Sequence, residues 1–167
     1  EYLEWFHGEH VPEKLARPGY AWAAHFRGAP HHADSVAGSH GFIAMFGGDS
    51  TRVFLDPSPA QLKLKQDAMT RQMMPHRQHT AALILTHEWS AANGSMDAPL
   101  DSPVHSRAIQ LWCLDAPDAD ETIGAWVAQE LVSQFQALAA LSRFSKFSNV
   151  VRGTKHALVA ELADPQA

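Results

Sequence analysis

A single cysteine, Cys113, is all the thiol chemistry that this chain of 167 residues can offer. One cysteine excludes an internal disulfide framework and every cysteine-based zinc pattern. No apolar run approaches the ~18 residues of a membrane span, and no signal peptide opens the chain. Basic clusters are missing as well. The net charge is −5 and Lys and Arg are scattered, so nucleic acid and anionic membrane are poor partners. The chain carries no Ser-His-Asp order, no phosphate loop and no dinucleotide fingerprint, which removes the hydrolase, nucleotide and nicotinamide readings that rest on such motifs. A cytoplasmic protein working without cofactor or metal fits these absences.

What is present is ordinary globular sequence. Hydrophobic residues make up 46% and charged residues 19%, which argues against disorder. The length suits one sizeable core or two small, closely packed units.

The first twenty residues carry the most information. Tyr2, Trp5, Phe6 and Glu9 follow the spacing that stacks side chains on one helical face, and Leu3, Phe6 and His10 form an adjoining stripe. An apolar face therefore ends in an acid and an imidazole. Pro12 lacks an N–H and disfavours helix at Val11, so the spacing predicts a break or kink there, beside Glu9 and His10. A further short turn runs from Pro12 to Ala16, and Pro18-Gly19 ends it.

The run Trp5-Phe6, Glu9-His10, Pro12-Glu13-Lys14-Leu15, Pro18-Gly19-Tyr20 resembles the signature of EthD-like proteins, in the dimeric α+β barrel group. The resemblance covers about twenty residues, and it implies antiparallel sheets built from ferredoxin-like βαββαβ units. The group hosts many chemistries, so the likeness speaks to fold more than to reaction. Because such a unit starts with a strand, the helical start at Glu1 implies that a strand precedes this sequence.

Along the rest of the chain, residues 20–27 alternate, with Tyr20, Trp22, Ala24 and Phe26 on one side and His25 and Arg27 on the other: a half-buried strand. Residues 28–40 are turn-rich, and their His31-His32 pair reads as solvated histidines. Residues 41–46 give the next strand. Ser58-Pro59-Ala60-Gln61 is a capping box that opens a helix running to Pro75, with Leu62, Met69 and Met73 on its inner face. His76 and His79 have a ligand-like spacing but no third partner. Residues 81–89 alternate Leu83, Leu85, His87 and Trp89 against Ile84, Thr86 and Glu88, which predicts a strand with His87 on its apolar side, hydrogen-bonded in the core or lining a pocket.

Residues 92–106 read as a linker between a first unit, 1–91, and a second, 107–167. The second unit starts the pattern again. A strand at 107–114 precedes a helix opened by Asp118 and Glu121, with a stripe of Ile123, Val127, Leu131, Phe135 and Leu138, and strands follow at 143–152 and 156–162. Trp5-x-x-x-Glu9 reappears as Trp126-x-x-x-Glu130, followed by His10 in the first case and Leu131 in the second. The expectation is α+β: tandem ferredoxin-like units with antiparallel sheets, of the dimeric α+β barrel type, with one surviving site and an incomplete second unit.

Two facing sheets would enclose an apolar cavity, and Trp5, Phe6, Trp22, Phe42, Trp89 and Trp112 could line it. His10 and Glu9 are the candidate catalytic pair; Trp5, Phe6, Trp22, His25 and His87 are the candidate ligand contacts. An imidazole can take and give a proton near neutrality, so the residues point to cofactor-independent proton transfer on a small aromatic or polyketide-like compound: isomerisation, cyclisation, dehydration or decarboxylation. The alternatives are a non-catalytic accessory or binding protein of a degradation pathway and, by resemblance, a quinone-forming monooxygenase. The expected partners are a small apolar or aromatic ligand and further copies of the chain in a homo-oligomer.

Overall fold

The computed structural model describes residues 1–28, 41–92, 106–115 and 118–163. It is mixed α+β with antiparallel sheets, in two compact units, Glu1–Ala82 and Leu83–Ala167. The loop bearing His31 and His32 and most of the linker lie outside the described residues. Among the described residues no helix is long and apolar enough to cross a membrane.

In the first unit the expected break at Val11 does not occur. An α-helical segment Tyr2–Trp5, a π turn Phe6–His10 and a second α-helical segment Val11–Leu15 run on through right-handed backbone as one helix, α1. The reason is local. Proline's ring would strike the carbonyl four residues back and could not bond it. The π turn relieves this by shifting the ladder one residue, so that the Val11 N–H bonds the Phe6 carbonyl. Pro12 then sits in the first turn of the following segment, where its missing N–H costs nothing. α1 ends through Gly19, whose φ of 86° and close approach to Val53 both exclude a β-carbon.

Strands β1 (Tyr20–Arg27) and β2 (Phe42–Gly48) form an antiparallel hairpin. The register shifts between Tyr20 and Trp22. That one extra residue, Ala21, reverses the expected side of Tyr20, which meets Phe46 and Phe54. From Trp22 onward the alternation is regular, so Trp22, Ala24 and Phe26 lie on one face and His25 on the other.

The helix expected from Ser58 to Pro75 is two helices, α2 (Pro59–Leu64) and α3 (Ala68–Met73). The Ser58/Gln61 capping box forms as the sequence implies. Asp67 supplies the unexpected restart: its exposed carboxylate accepts the Thr70 N–H and caps α3. Trp5, Phe6 and Met73 make this unit's core, joined by Tyr2, Val11 and Met74.

The second unit holds a four-stranded sheet in the order β3-β5-β6-β4, every neighbour antiparallel. Its strands are β3 (Leu85–Ala91), β4 (Ala108–Leu114), β5 (Leu141–Asn149) and β6 (His156–Leu162). The compact units divide earlier in the chain than the change in composition, because β3 takes its hydrogen bonds from β5. Helix α4 combines Asp120–Trp126, a π turn Val127–Leu131 and Val132–Gln136. Asp118 does not cap it; the N-cap is Ala119, with no side-chain bond. Val127 and Val132 bury against Phe144, Leu158 and Ala160, and Phe135 stacks on Phe144 at 4.8 Å. Leu138, the expected last member of the stripe, lies beyond the helix and is exposed.

The two helices share a feature that residue spacing alone does not reveal. Trp5 and Trp126 each immediately precede a five-residue π turn, Glu9 and Glu130 are the fourth residue of each turn, and His10 and Leu131 close them. The environments differ. Trp5 is buried beside Met73 of α3, whereas Trp126 is 41% exposed.

Candidate functional site

The π turn of α1 spans Phe6, His7, Gly8, Glu9 and His10. Such turns are uncommon and recur at functional positions. His10 turns inward and is 8% exposed. Its ring lies 4.8 Å from that of Trp5 and 5.5 Å from that of Phe6, tilted by 36° and 35°. Its Nδ1 is buried and has no hydrogen-bond partner among the described residues. Leaving a buried polar atom unsatisfied costs about 1–3 kcal/mol. The aromatic faces take up the ring and leave that buried nitrogen unpaired among the described residues.

Burial is the main reason that the His10 pKa falls from 6.5 to about 4, because the charged ring would lose its water. The Lys14 ammonium pushes it down further, and Arg77 and Arg17 add to this; Glu13 opposes them without prevailing. His10 is therefore a neutral imidazole at neutral pH. It has a lone pair to offer a proton or a ligand hydroxyl.

A second imidazole cluster adjoins this one. His25 of β1 packs 4.5 Å from Phe6 and stacks on Phe42 at 4.9 Å. Its Nδ1 lies 3.1 Å from the Nε2 of His7. Burial, then the neighbouring His7 and Arg77, hold the His25 pKa below its ordinary value. His7 was not among the residues singled out in the sequence. The available signal was its position three residues before His10, inside the same turn; what hid it was its partner, eighteen residues away on a strand.

The structure brings together His10, Trp5, Phe6 and His25. It separates the other candidates. Trp22 lies on the opposite face of the hairpin from His25, over Gly47, where a β-carbon would come within 2.0 Å of the indole. Glu9 is exposed and lines an open groove of about 400 Å³ with Trp5, Gly8, Met69 and Met73. The carboxylate that bears on His10 is Glu13.

His87 belongs to the second unit. The register shift between His87 and Trp89 places it on the same side as Ser90, and its Nε2 lies 2.7 Å from Ser90 Oγ. Ser90 in turn meets Ser145 Oγ across the strands at 2.7 Å. Both serines are buried, and the chain of hydroxyls gives the half-buried His87 ring a hydrogen-bond partner.

On the helix side of this sheet, buried Lys146 pairs with Glu88, and His156 Nε2 meets Asp120 at 3.0 Å. Among the described residues no group of three or more His, Cys, Asp or Glu side chains is arranged to hold a metal ion. Comparison with family models, with curated proteins and with solved structures returns no match to this chain, so the geometry carries the functional argument by itself.

Proposed function

We propose that this chain is a small-molecule-binding protein of the tandem ferredoxin-like, dimeric α+β barrel type, and that it moves a proton on a small aromatic or polyketide-like compound without an organic cofactor. Two features support the fold. The sequence β4–α4–β5–β6 gives the order β4-β6-β5 with antiparallel neighbours, the arrangement of the first three strands of a ferredoxin-like unit. The helix, hairpin and helices of the first unit follow the same order of elements as far as its last strand, with the π turn repeated. The EthD-like resemblance of residues 5–20 points the same way.

The observation that carries the function is the buried, unpartnered Nδ1 of His10 between two aromatic faces. A flat apolar ligand matches the surrounding rings, and the neutral imidazole supplies one placed polar group. As a base, a ring with a pKa of about 4 stays in its proton-accepting form through neutral pH. The same neutrality suits a protein that only holds a hydroxylated ligand, so turnover decides between enzyme and accessory binder.

A thermal-shift screen of small phenols, quinones and lactones against wild type, His10→Ala and His10→Gln tests the reading. Ligands that stabilise wild type should lose most of their effect in His10→Ala. For any that are turned over, both variants should be slower by on the order of 10²–10⁴-fold. Stabilisation that is unchanged in His10→Ala places the ligand elsewhere and defeats the proposal. Binding lost without any turnover in wild type selects the accessory reading.

A further inference from the structure

We propose that His7 Nε2 and His25 Nδ1 form a two-histidine chelate for a late first-row divalent cation such as Zn2+ or Cu2+. The two nitrogens come from different elements, α1 and β1, and face each other at 3.1 Å. With metal–nitrogen bonds of about 2.0–2.1 Å, that separation corresponds to an angle at the metal of about 98°, between the square-planar and tetrahedral values. The ring positions leave room for it. Such a chelate sets the ring centres about 4.8 Å apart, whereas a straight N–H···N contact at the same nitrogen distance sets them about 5.4 Å apart. The observed separation is 5.0 Å, with the rings inclined at 53°.

The surroundings suit this use. Phe6 packs against both rings, edge-on to His7 at 5.5 Å and tilted to His25 at 4.5 Å, and Phe42 stacks on the outer side of His25. The ring orientations are thus held by contacts that do not involve the facing nitrogens. His7 is exposed and His25 half-buried, so a cation can enter and keep water or a ligand atom on its remaining positions. Histidine binds metal as the neutral ring. Imidazole nitrogen suits zinc and copper better than the harder alkaline-earth ions. Arg77 opposes binding: its charge already bears on His25 and would repel a dication.

The reading separates from the one above because it places metal on His7 and His25 and ligand at His10. Titration calorimetry of Zn2+ alone, and of Cu2+ alone, into wild type, His7→Ala, His25→Phe and the double variant tests it. The double variant measures adventitious binding by the other histidines. Wild type should show one additional site, each single variant should weaken it tenfold or more, and Arg77→Gln should tighten it. The Cu2+ form of wild type should show two coupled imidazole nitrogens by paramagnetic resonance, and neither single variant should. Thermal unfolding confirms that each variant is folded. Wild type taking no more metal than the double variant, or either folded single variant binding as wild type does, overturns the proposal.

Discussion

Replacing His10 by phenylalanine keeps a flat ring between Trp5 and Phe6 while removing the titrating nitrogens, so it isolates what the imidazole contributes to stability as pH changes. The folded-state pKa is about 4 against 6.5 for an unburied ring. Because the folded value is the lower one, the unfolded chain takes up the proton first as pH falls. His10 therefore withholds nothing above about pH 6.5, and stability drains away as pH falls toward 4. The gap between the two values sets a ceiling of about 3.4 kcal/mol at 1.36 kcal/mol per pKa unit. By pH 4.5 about 2.5 kcal/mol of it is lost.

Urea denaturation followed by circular dichroism at pH 7 and pH 4.5 measures the effect. His25 and His87 also have lowered values and destabilise both proteins in acid alike. Only the difference between wild type and His10→Phe counts, and wild type should lose about 2 kcal/mol more than the variant over that interval. Equal losses in the two proteins would show that His10 is not desolvated in the fold, and the argument for its neutral form would collapse.

Other outcomes follow from packing. Gly47→Ala should destabilise the hairpin by about 1–3 kcal/mol by driving a β-carbon into Trp22, and combining it with Trp22→Ala should cost less than the two changes summed. Leu158→Ala, at a side chain 1% exposed in the second core, should cost about 2–5 kcal/mol in chemical denaturation. Asp67→Ala should remove the cap of α3 and about 0.5–2 kcal/mol with it, with Asp67→Asn largely preserving stability. Ser145→Ala should lower the melting temperature by removing one of the two partners of the buried Ser90 hydroxyl.

Sequence by itself determined the local elements. Period-two alternation marked β1 because successive side chains sit on opposite faces whatever lies above them. The Ser58 capping box was equally legible, since it depends on residues within one turn; of the two stripes drawn on α1, Trp5, Phe6 and His10 are buried whereas Leu3 and Glu9 are exposed. The opposition of Trp22 and His25 was written in the same alternation, and it already set the two candidates on different faces. Tertiary structure decided the rest. One shifted residue at Ala21 and one between His87 and Trp89 reverse which side chains share a face, and no periodicity announces a shift of one. The π turns answer to packing and to Pro12 together, so proline alone pointed to a break where the helix widens and continues. His7 and His25 meet only because α1 lies against β1; their approach depends on the fold of the whole first unit, which no local run of residues specifies.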